Sequence, residues 1–258
     1  MASPSEMHSN DLCDRCGSSL TVTSMEVFGT KISLRATCEC RYREMKARER
    51  RARIADLHES IRKQGLEDGL YGRMTLDGWE CRDASCEGSA KILECYLRSA
   101  VFGSRNWLYL HGGYGLGKTH LAVAALKYLC IENQWEPLLV KWSEYCSRIQ
   151  QSWHNSDADS EYDLWRRAAN VTLLVLDDID KRASSEWTLG KLYDLIDYRY
   201  VRQLPTIMTA NRSLEALSTY WARTEQMQDL AKAIVSRTIG QLSAVIEFSG
   251  HDYRLGGS

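Results

Sequence analysis

From Lys91 onward the chain alternates short apolar runs with longer stretches of helical period. The apolar runs are NWLYLHG, PLLVKWS, VTLLVLDDID and PTIMTANR, and between them lie THLAVAALKYLCIE, SRIQQSWHN and TLGKLYDLIDYRYVR. An uninterrupted apolar run of about four to eight residues fits a strand buried on both faces, and helices between such strands supply the crossovers that a parallel sheet needs. The pattern therefore predicts an α/β fold with a parallel sheet flanked by helices. The first forty residues read differently. Leu20 and Val22, then Ile32, Leu34 and Ala36, alternate with polar positions on either side of Phe28-Gly29-Thr30-Lys31, which predicts a hairpin. Between the two regions, RYREMKARERRAR (Arg41 to Arg53) is built of helix formers, and IADLHESIRKQ follows it. Glycines 65, 69, 72 and 78 then break GLEDGLYGRMTLDGWE, which marks a joint between two units.

Composition narrows the class. A chain of 258 residues accommodates one large domain, or one of medium size with an appendage. With 44% hydrophobic residues, 26% charged and 3 prolines it is neither collagenous nor broadly disordered. No apolar run approaches the roughly 18 residues of a membrane span, and the opening MASPSEMHSNDLCDRC lacks the features of a signal peptide, so a cytoplasmic protein without membrane contact is expected. In that compartment the 9 cysteines are expected to be reduced, serving as metal ligands or core thiols. The net charge of -1 conceals a segregation: residues 1–53 carry 10 Lys/Arg against 7 Asp/Glu, and Arg41 to Arg53 alone holds seven basic residues against two acids. That run is a candidate to grip nucleic-acid phosphates, and equally a solvated helix joining two modules.

The sharpest chemical signal is Gly112-Gly113-Tyr114-Gly115-Leu116-Gly117-Lys118-Thr119, a full GxxxxGK[ST] string that follows an apolar strand and opens a helix. Its amides and the positive end of the helix would converge on an anion. Lys118 is placed to reach the β- and γ-phosphates of ATP, and the Thr119 hydroxyl to ligate Mg²⁺. Leu173 to Asp178 reads as a buried strand ending in two carboxylates, at the sheet edge where α/β proteins bind ligands. Asp177 is then the natural second Mg²⁺ partner, and Asp178 a candidate to position and deprotonate the attacking water. A third strand ends in Ala210-Asn211-Arg212. Asn211 would lie beside the γ-phosphate if this strand neighbours the other two.

Cys13-x2-Cys16 and Cys38-x-Cys40 flank the hairpin, which would bring both pairs together at its open end as a tetrahedral Cys₄ zinc site. The second pair is CxC rather than CxxC, and His8 is an alternative fourth ligand to Cys40. A segment of about 40 residues has little core, so zinc would supply much of its folding free energy. Cys81, Cys86, Cys95, Cys130 and Cys146 lack paired spacing and read mostly as core thiols.

Taken together, GGYGLGKTHLAVA, LLVLDDID, LYDLIDYRYVRQLPTIMTANRSLEAL and the terminal IVSRTIGQLSAVIEFSGHDYR resemble the AAA+ ATPases, and within them the DnaC/DnaI-type helicase loaders and IstB-type transposition ATPases. The resemblance covers roughly residues 66 to 258. It implies a P-loop AAA+ core with little or no helical lid, joined to a small N-terminal module of zinc-ribbon type. The segments are 1–53, zinc module and basic helix; 54–78, linker and start of the nucleotide site; and 79–258, AAA+ domain. It further implies Mg²⁺-dependent ATP hydrolysis, with Gly112 through Thr119 and His120 around the nucleotide. Asn211 corresponds to the sensor asparagine, and Arg237 to an arginine finger that completes a neighbouring subunit's site in an ATP-dependent oligomer or spiral. Arg254 in HDYR is a further nucleotide-facing candidate, and Arg199 in IDYRY a second trans-acting one. The region Tyr145 to Arg167, with Trp153 and Trp165 around Asp157, Asp159, Glu161 and Asp163, falls where such proteins carry an extra helical element touching single-stranded DNA. Because Bacillus-type loaders join a zinc module to this ATPase, the resemblance favours loading of a DnaB-type replicative helicase onto single-stranded DNA. Target selection for a transposase is the alternative, and a zinc-bearing binding module with a merely structural nucleotide site the third.

Overall fold

The computed structural model describes residues 12–20, 22–27, 30–35, 38–79, 84–101, 103, 105–153, 159–181, 185–250 and 252–253. His8, Cys81, Asp157, Arg254 and the hairpin tip at Phe28-Gly29 lie outside the described residues. In chain order the elements are β1 (Val22–Val27), β2 (Thr30–Arg35), α1 (Glu39–Lys63), α2 (Gly69–Gly72), α3 (Ala84–Ser99), β3 (Trp107–Gly112), α4 (Lys118–Asn133), β4 (Pro137–Lys141), α5 (Trp142–Ser152) and α6 (Glu161–Asn170). Then follow β5 (Leu173–Asp177), α7 (Glu186–Val201), β6 (Thr206–Ala210), α8 (Leu214–Trp221), α9 (Glu225–Gln241) and β7 (Leu242–Phe248). The chain divides into two compact units, Met1–Asp56 and Leu57–Ser258.

In the first unit β1 and β2 pair antiparallel, with Val22 opposite Arg35 and Val27 opposite Thr30. Helix α1 begins here and runs for 25 residues, with ion pairs from Arg43 to Glu39 and from Lys46 to Glu49 on its surface. It stops where Gly65 adopts φ 69°, a left-handed conformation that a glycine takes at little cost.

In the second unit β4, β5, β6, β3 and β7 lie side by side in that order, each neighbouring pair parallel. Every residue of β5 (LLVLD) and β6 (TIMTA) is buried, as a strand covered on both faces requires. Alternation divides the side chains between two layers. Trp107, Tyr109, Leu174, Leu176 and Met208 meet the helices α5 to α9, whereas Leu108, Leu110, Leu173, Val175 and Ile207 meet α3 and α4. The apolar runs thus became β3 to β6. Strand β7 was not among them, because LSAVIEF is an edge strand that buries only two of its seven positions and has no continuous apolar signature. Among the described residues no helix follows β7, and none is long and apolar enough to cross a membrane.

One polar side chain holds the sheet's lower edge together. Arg199 of α7 is 0% exposed, and its six hydrogen bonds reach α6, β5 and β6. Nη1 donates to the carbonyls of Ala168 (3.0 Å), Ala169 (3.2 Å) and Val171 (2.8 Å), and Nη2 to those of Thr172 (3.2 Å) and Pro205 (2.6 Å). Nε donates to Thr206 Oγ1 at 2.9 Å. These carbonyls terminate α6 and lead into β5 and β6, so the guanidinium satisfies groups that a helix end leaves open. Burial pulls its pKa down to about 9. A side chain enclosed in this way cannot reach a neighbouring subunit, which corrects the expectation that Arg199 acts in trans.

Candidate functional site

Strand β3 delivers the glycine loop to the carboxyl edge of the sheet. Gly112, at φ 140°, lies against the Phe248 backbone of β7, where any side chain would collide with the carbonyl. Gly117 takes φ 89°, and a β-carbon there would stand 3.2 Å from the Trp79 indole nitrogen. The loop therefore needs glycine at both ends, and α4 starts directly from it at Lys118. Lys118 is 6% exposed, and its Nζ donates to the carbonyls of Gly112 (2.9 Å) and Gly113 (2.5 Å) and to Asn211 Oδ1 (3.2 Å).

Because β6 lies between β5 and β3, the ends of all three strands meet at this loop. Thr119 Oγ1 donates to Asp177 Oδ1 at 2.8 Å, and Thr209 Oγ1 donates to the same oxygen at 2.7 Å. Burial raises the Asp177 pKa, the Asp178 charge adds to the rise, and the two threonine hydroxyls oppose it. A buried carboxylate beside a threonine hydroxyl, its pKa raised by desolvation, is a donor set suited to a hard divalent cation. Asp178 follows in a left-handed conformation, φ 55°, which aspartate tolerates better than most residues. Its N–H donates to Thr209 Oγ1 at 2.8 Å, and its carboxylate pairs with Lys181 at 2.5 Å.

A cavity of about 610 Å³ opens over these groups, lined by Tyr114 through His120, Asp177, Asp178 and Asn211. His120 Nε2 lies 2.9 Å from the Thr75 carbonyl. Leu70, Tyr71 and Met74 also line it, as do Lys141, Glu144 and Lys181. None of these six was singled out in the sequence. The signal for Leu70, Tyr71 and Met74 was the apolar residues inside GLYGRM, within the 54–78 segment expected to start the nucleotide site, whereas the three charged residues carried none.

Arg237 does not line this cavity. It lies on α9, where its Nε pairs with Asp197 of α7, its Nη2 donates to Tyr193 Oη at 2.9 Å, and its guanidinium sits 4.7 Å from the Tyr193 ring centre. Trp153 and Trp165 also lie apart from the loop. Trp153 Nε1 donates to Glu161 and its ring meets Trp187 edge-on, and Trp165 meets Tyr198 likewise.

In the first unit the Sγ atoms of Cys13, Cys16, Cys38 and Cys40 all lie within 4.8 Å of one another. Neighbouring sulfurs are 3.5 Å (Cys13 to Cys40), 3.3 Å (Cys16 to Cys38) and 3.4 Å (Cys38 to Cys40) apart. Tetrahedral Zn–S bonds of about 2.3 Å place sulfurs about 3.8 Å apart, so the cluster needs only a slight expansion to enclose the ion. The Cys13–Cys16 turn closes through hydrogen bonds from Cys13 N to Ser18 O and from Gly17 N to Cys13 O, both 2.8 Å. Hydrogen bonds from the Ser18 side chain and backbone pull the Cys16 thiol down to about 6, while hydrogen bonds to the sulfurs of Cys38 and Cys16 hold the Cys40 proton and push that thiol up to about 12. Four sulfurs this close cannot all ionise without a cation among them. Of the other described cysteines, Cys130 and Cys146 are core thiols, whereas Cys95 is exposed on α3.

A phosphate loop between strand and helix, with carboxylates at the end of the next strand but one, defines a P-loop ATP-binding protein of the AAA+ fold. The chain belongs to the IstB-like ATP binding protein family, whose model matches residues 39–258. Among curated proteins it is similar to "Replicative helicase loader DnaI" of Bacillus subtilis (strain 168), 26% identical over 208 residues. That match takes in 77% of this chain, and the chain spans 65% of the length of DnaI. It is also similar to "Replicative helicase loader DnaC" of Escherichia coli (strain K12), 24% identical over 175 residues, which are 67% of this chain and 69% of that protein. The crystal structure of the DnaC helicase loader shares the fold with a TM-score of 0.60 at 21% identity, covering 70% of this chain and all of that one. The crystal structure of DnaI gives 0.58 at 26% identity, covering 68% and 90%.

Proposed function

We propose that this chain is an ATP-hydrolysing loader that delivers a DnaB-type replicative helicase to single-stranded DNA. The observation that carries the reading is the joint presence, in one chain, of a Cys₄ cluster and of a phosphate loop facing Asp177 and Asn211, in a protein similar along 77% of its length to a helicase loader. The IstB-type alternative rests on the family description alone, and nothing in the cysteine-bearing unit favours it.

In this reading ATP lies in the cavity with its phosphates on the Gly112–Thr119 loop and its base toward Leu70, Tyr71 and Met74. Lys118 exchanges its present carbonyl partners for the β- and γ-phosphates. Thr119 and Asp177 would hold Mg²⁺, which would neutralise phosphate charge when bound. Asp178 accepts the proton of the attacking water once Lys181 swings off its carboxylate. Arg237, outside its own subunit's cavity, serves the site of the next subunit in an oligomer assembled on ATP, and its pair with Asp197 keeps it docked until then. The basic part of α1 and the Cys₄ unit provide the surface for the helicase. Mixing the full chain with a DnaB-family helicase and measuring complex formation tests the partner; no complex with any cognate helicase, with or without ATP, would sink it. Steady-state hydrolysis with and without single-stranded DNA tests the enzyme.

Two further outcomes are expected. Arg237→Ala should bind ATP normally yet lose assembly-dependent turnover by about 1,000-fold or more, the scale of a trans-acting arginine; turnover retained within a few-fold removes Arg237 from that role. The purified chain should carry one zinc ion. Stripping it with a strong chelator, or Cys16→Ser, should abolish helicase binding and melt the cysteine unit while leaving ATP affinity unchanged. Metal analysis showing no zinc in protein purified without chelators would refute the assignment.

A further inference from the structure

The segment Asp177-Asp178-Ile179-Asp180 carries three acids, and only the first two have a role above. Asp180 is 2% exposed. Its Oδ1 accepts from Asn211 Nδ2 at 3.2 Å, and its Oδ2 accepts from the Asn211 backbone N–H and from Arg212 Nη1, both at 3.0 Å. On the far side of the same amide, Asn211 Oδ1 accepts from Lys118 Nζ at 3.2 Å.

These partners leave the amide no choice of orientation. A carboxylate only accepts, so the end of Asn211 that faces Asp180 must be its nitrogen. An ammonium only donates, so the end that faces Lys118 must be its oxygen. A flipped amide would set NH₂ against NH₃⁺ and carbonyl against carboxylate, two repulsions in place of two hydrogen bonds. Asp180 is itself held fast. Arg212 stacks 3.8 Å over the Tyr220 ring of α8, and its carbonyl accepts from Tyr109 Oη of β3 at 2.6 Å. The strand end, the arginine and the carboxylate thus form one braced unit behind Asn211.

We infer that Asp180 is the positioning residue that turns the Asn211 amide so that its oxygen, not its nitrogen, faces the phosphate-binding lysine and any water beside it. The inference rests on the proposed nucleotide site and deepens it. Asn211 then acts as a hydrogen-bond acceptor at the γ-phosphate edge, orienting the lysine ammonium or the water by a lone pair.

The test compares Asp180→Asn, Arg212→Leu, Asn211→Ala and the Asp180→Asn/Asn211→Ala double variant. Asp180→Asn is isosteric and still able to accept from Arg212, but its side chain no longer dictates the flip. Its kcat should fall about tenfold or more, one misplaced hydrogen bond at the reacting centre, with KM for ATP within about threefold of wild type. The ratio of Kd for ADP to Kd for a non-hydrolysable ATP analogue, which needs no turnover, should fall by about as much. The double variant should be no slower than Asn211→Ala, since Asp180 works only through that amide. Arg212→Leu should lower the unfolding temperature and reduce kcat less than Asp180→Asn does, because the two Asn211 N–H donors still engage the carboxylate. Unchanged kcat and affinity ratio in Asp180→Asn would overturn the inference. So would an additive double variant, or an Arg212→Leu kcat as low as that of Asp180→Asn, which would make the whole cluster structural. A wild-type chain with no turnover, with or without single-stranded DNA, would refute the ATPase reading instead, and the affinity ratio would then decide the role of Asp180.

Discussion

Lys118→Ala is expected to weaken ATP binding by about 100-fold or more and to leave no measurable hydrolysis, with the fold intact. The ammonium now satisfies two loop carbonyls and the Asn211 oxygen while only 6% exposed, a position that costs desolvation and is poised for an anion. Phosphate oxygens carry more charge than these carbonyls, so on ATP binding the lysine gains charge-assisted hydrogen bonds worth about 1.5–3 kcal/mol each. Losing two of them amounts to at least about 3 kcal/mol, or more than 100-fold in affinity. Stability should change little, because Lys118 itself lines the open cavity, so water can take the place of its ammonium. Titration with a fluorescent ATP analogue, alongside thermal unfolding, checks both halves. Affinity retained within tenfold would place the phosphates away from Lys118.

Much of this site was legible in the sequence because local patterns with a single mechanical meaning carry it. GGYGLGKT after an apolar strand can do little but turn sharply and present amides, and the structure shows that turn with Gly112 and Gly117 at positive φ. The convergence of Asp177 and Asn211 on the loop was legible only conditionally, since it required β6 to fall between β5 and β3, and strand order is not written in any one segment. The bringing together of the four sulfurs followed from the hairpin alone. What escaped were residues whose role depends on three-dimensional neighbours of ordinary appearance. Leu70, Tyr71 and Met74 look like any apolar residues in a broken stretch until the chain folds them over the cavity. Asp180 is one more acid in an acidic turn until Asn211 and Arg212 arrive from β6. Arg199 shows the same limit in reverse, because an arginine before a strand reads as available for a partner until folding brings the carbonyls at the end of α6 and before β5 and β6 around it.

Arg199→Met is expected to be the most destabilising single substitution in the larger unit, lowering its unfolding free energy by about 3–5 kcal/mol. Methionine fills much of the same volume, so the loss reports hydrogen bonding rather than a cavity. Four carbonyls and the Thr206 hydroxyl would lose this donor inside a region from which water is excluded, while the Pro205 carbonyl keeps the Leu174 N–H, and each unsatisfied buried group costs about 1–3 kcal/mol before relaxation. The gain from removing a desolvated charge offsets part of this, which is why the expected loss stays well below the sum. Domains hold about 5–15 kcal/mol in all, so the variant should remain folded but with a much lower denaturation midpoint. Arg199→Lys keeps the charge but has no planar fork, and should fall between the two. Urea unfolding followed by tryptophan fluorescence reads the effect, since Trp107 and Trp221 are buried in the same layer. A midpoint equal to that of wild type would show that the carbonyls find other donors. Retained stability combined with lost assembly-dependent turnover would instead restore Arg199 as a residue acting across subunits, and its six bonds would then have to be broken and remade in every cycle.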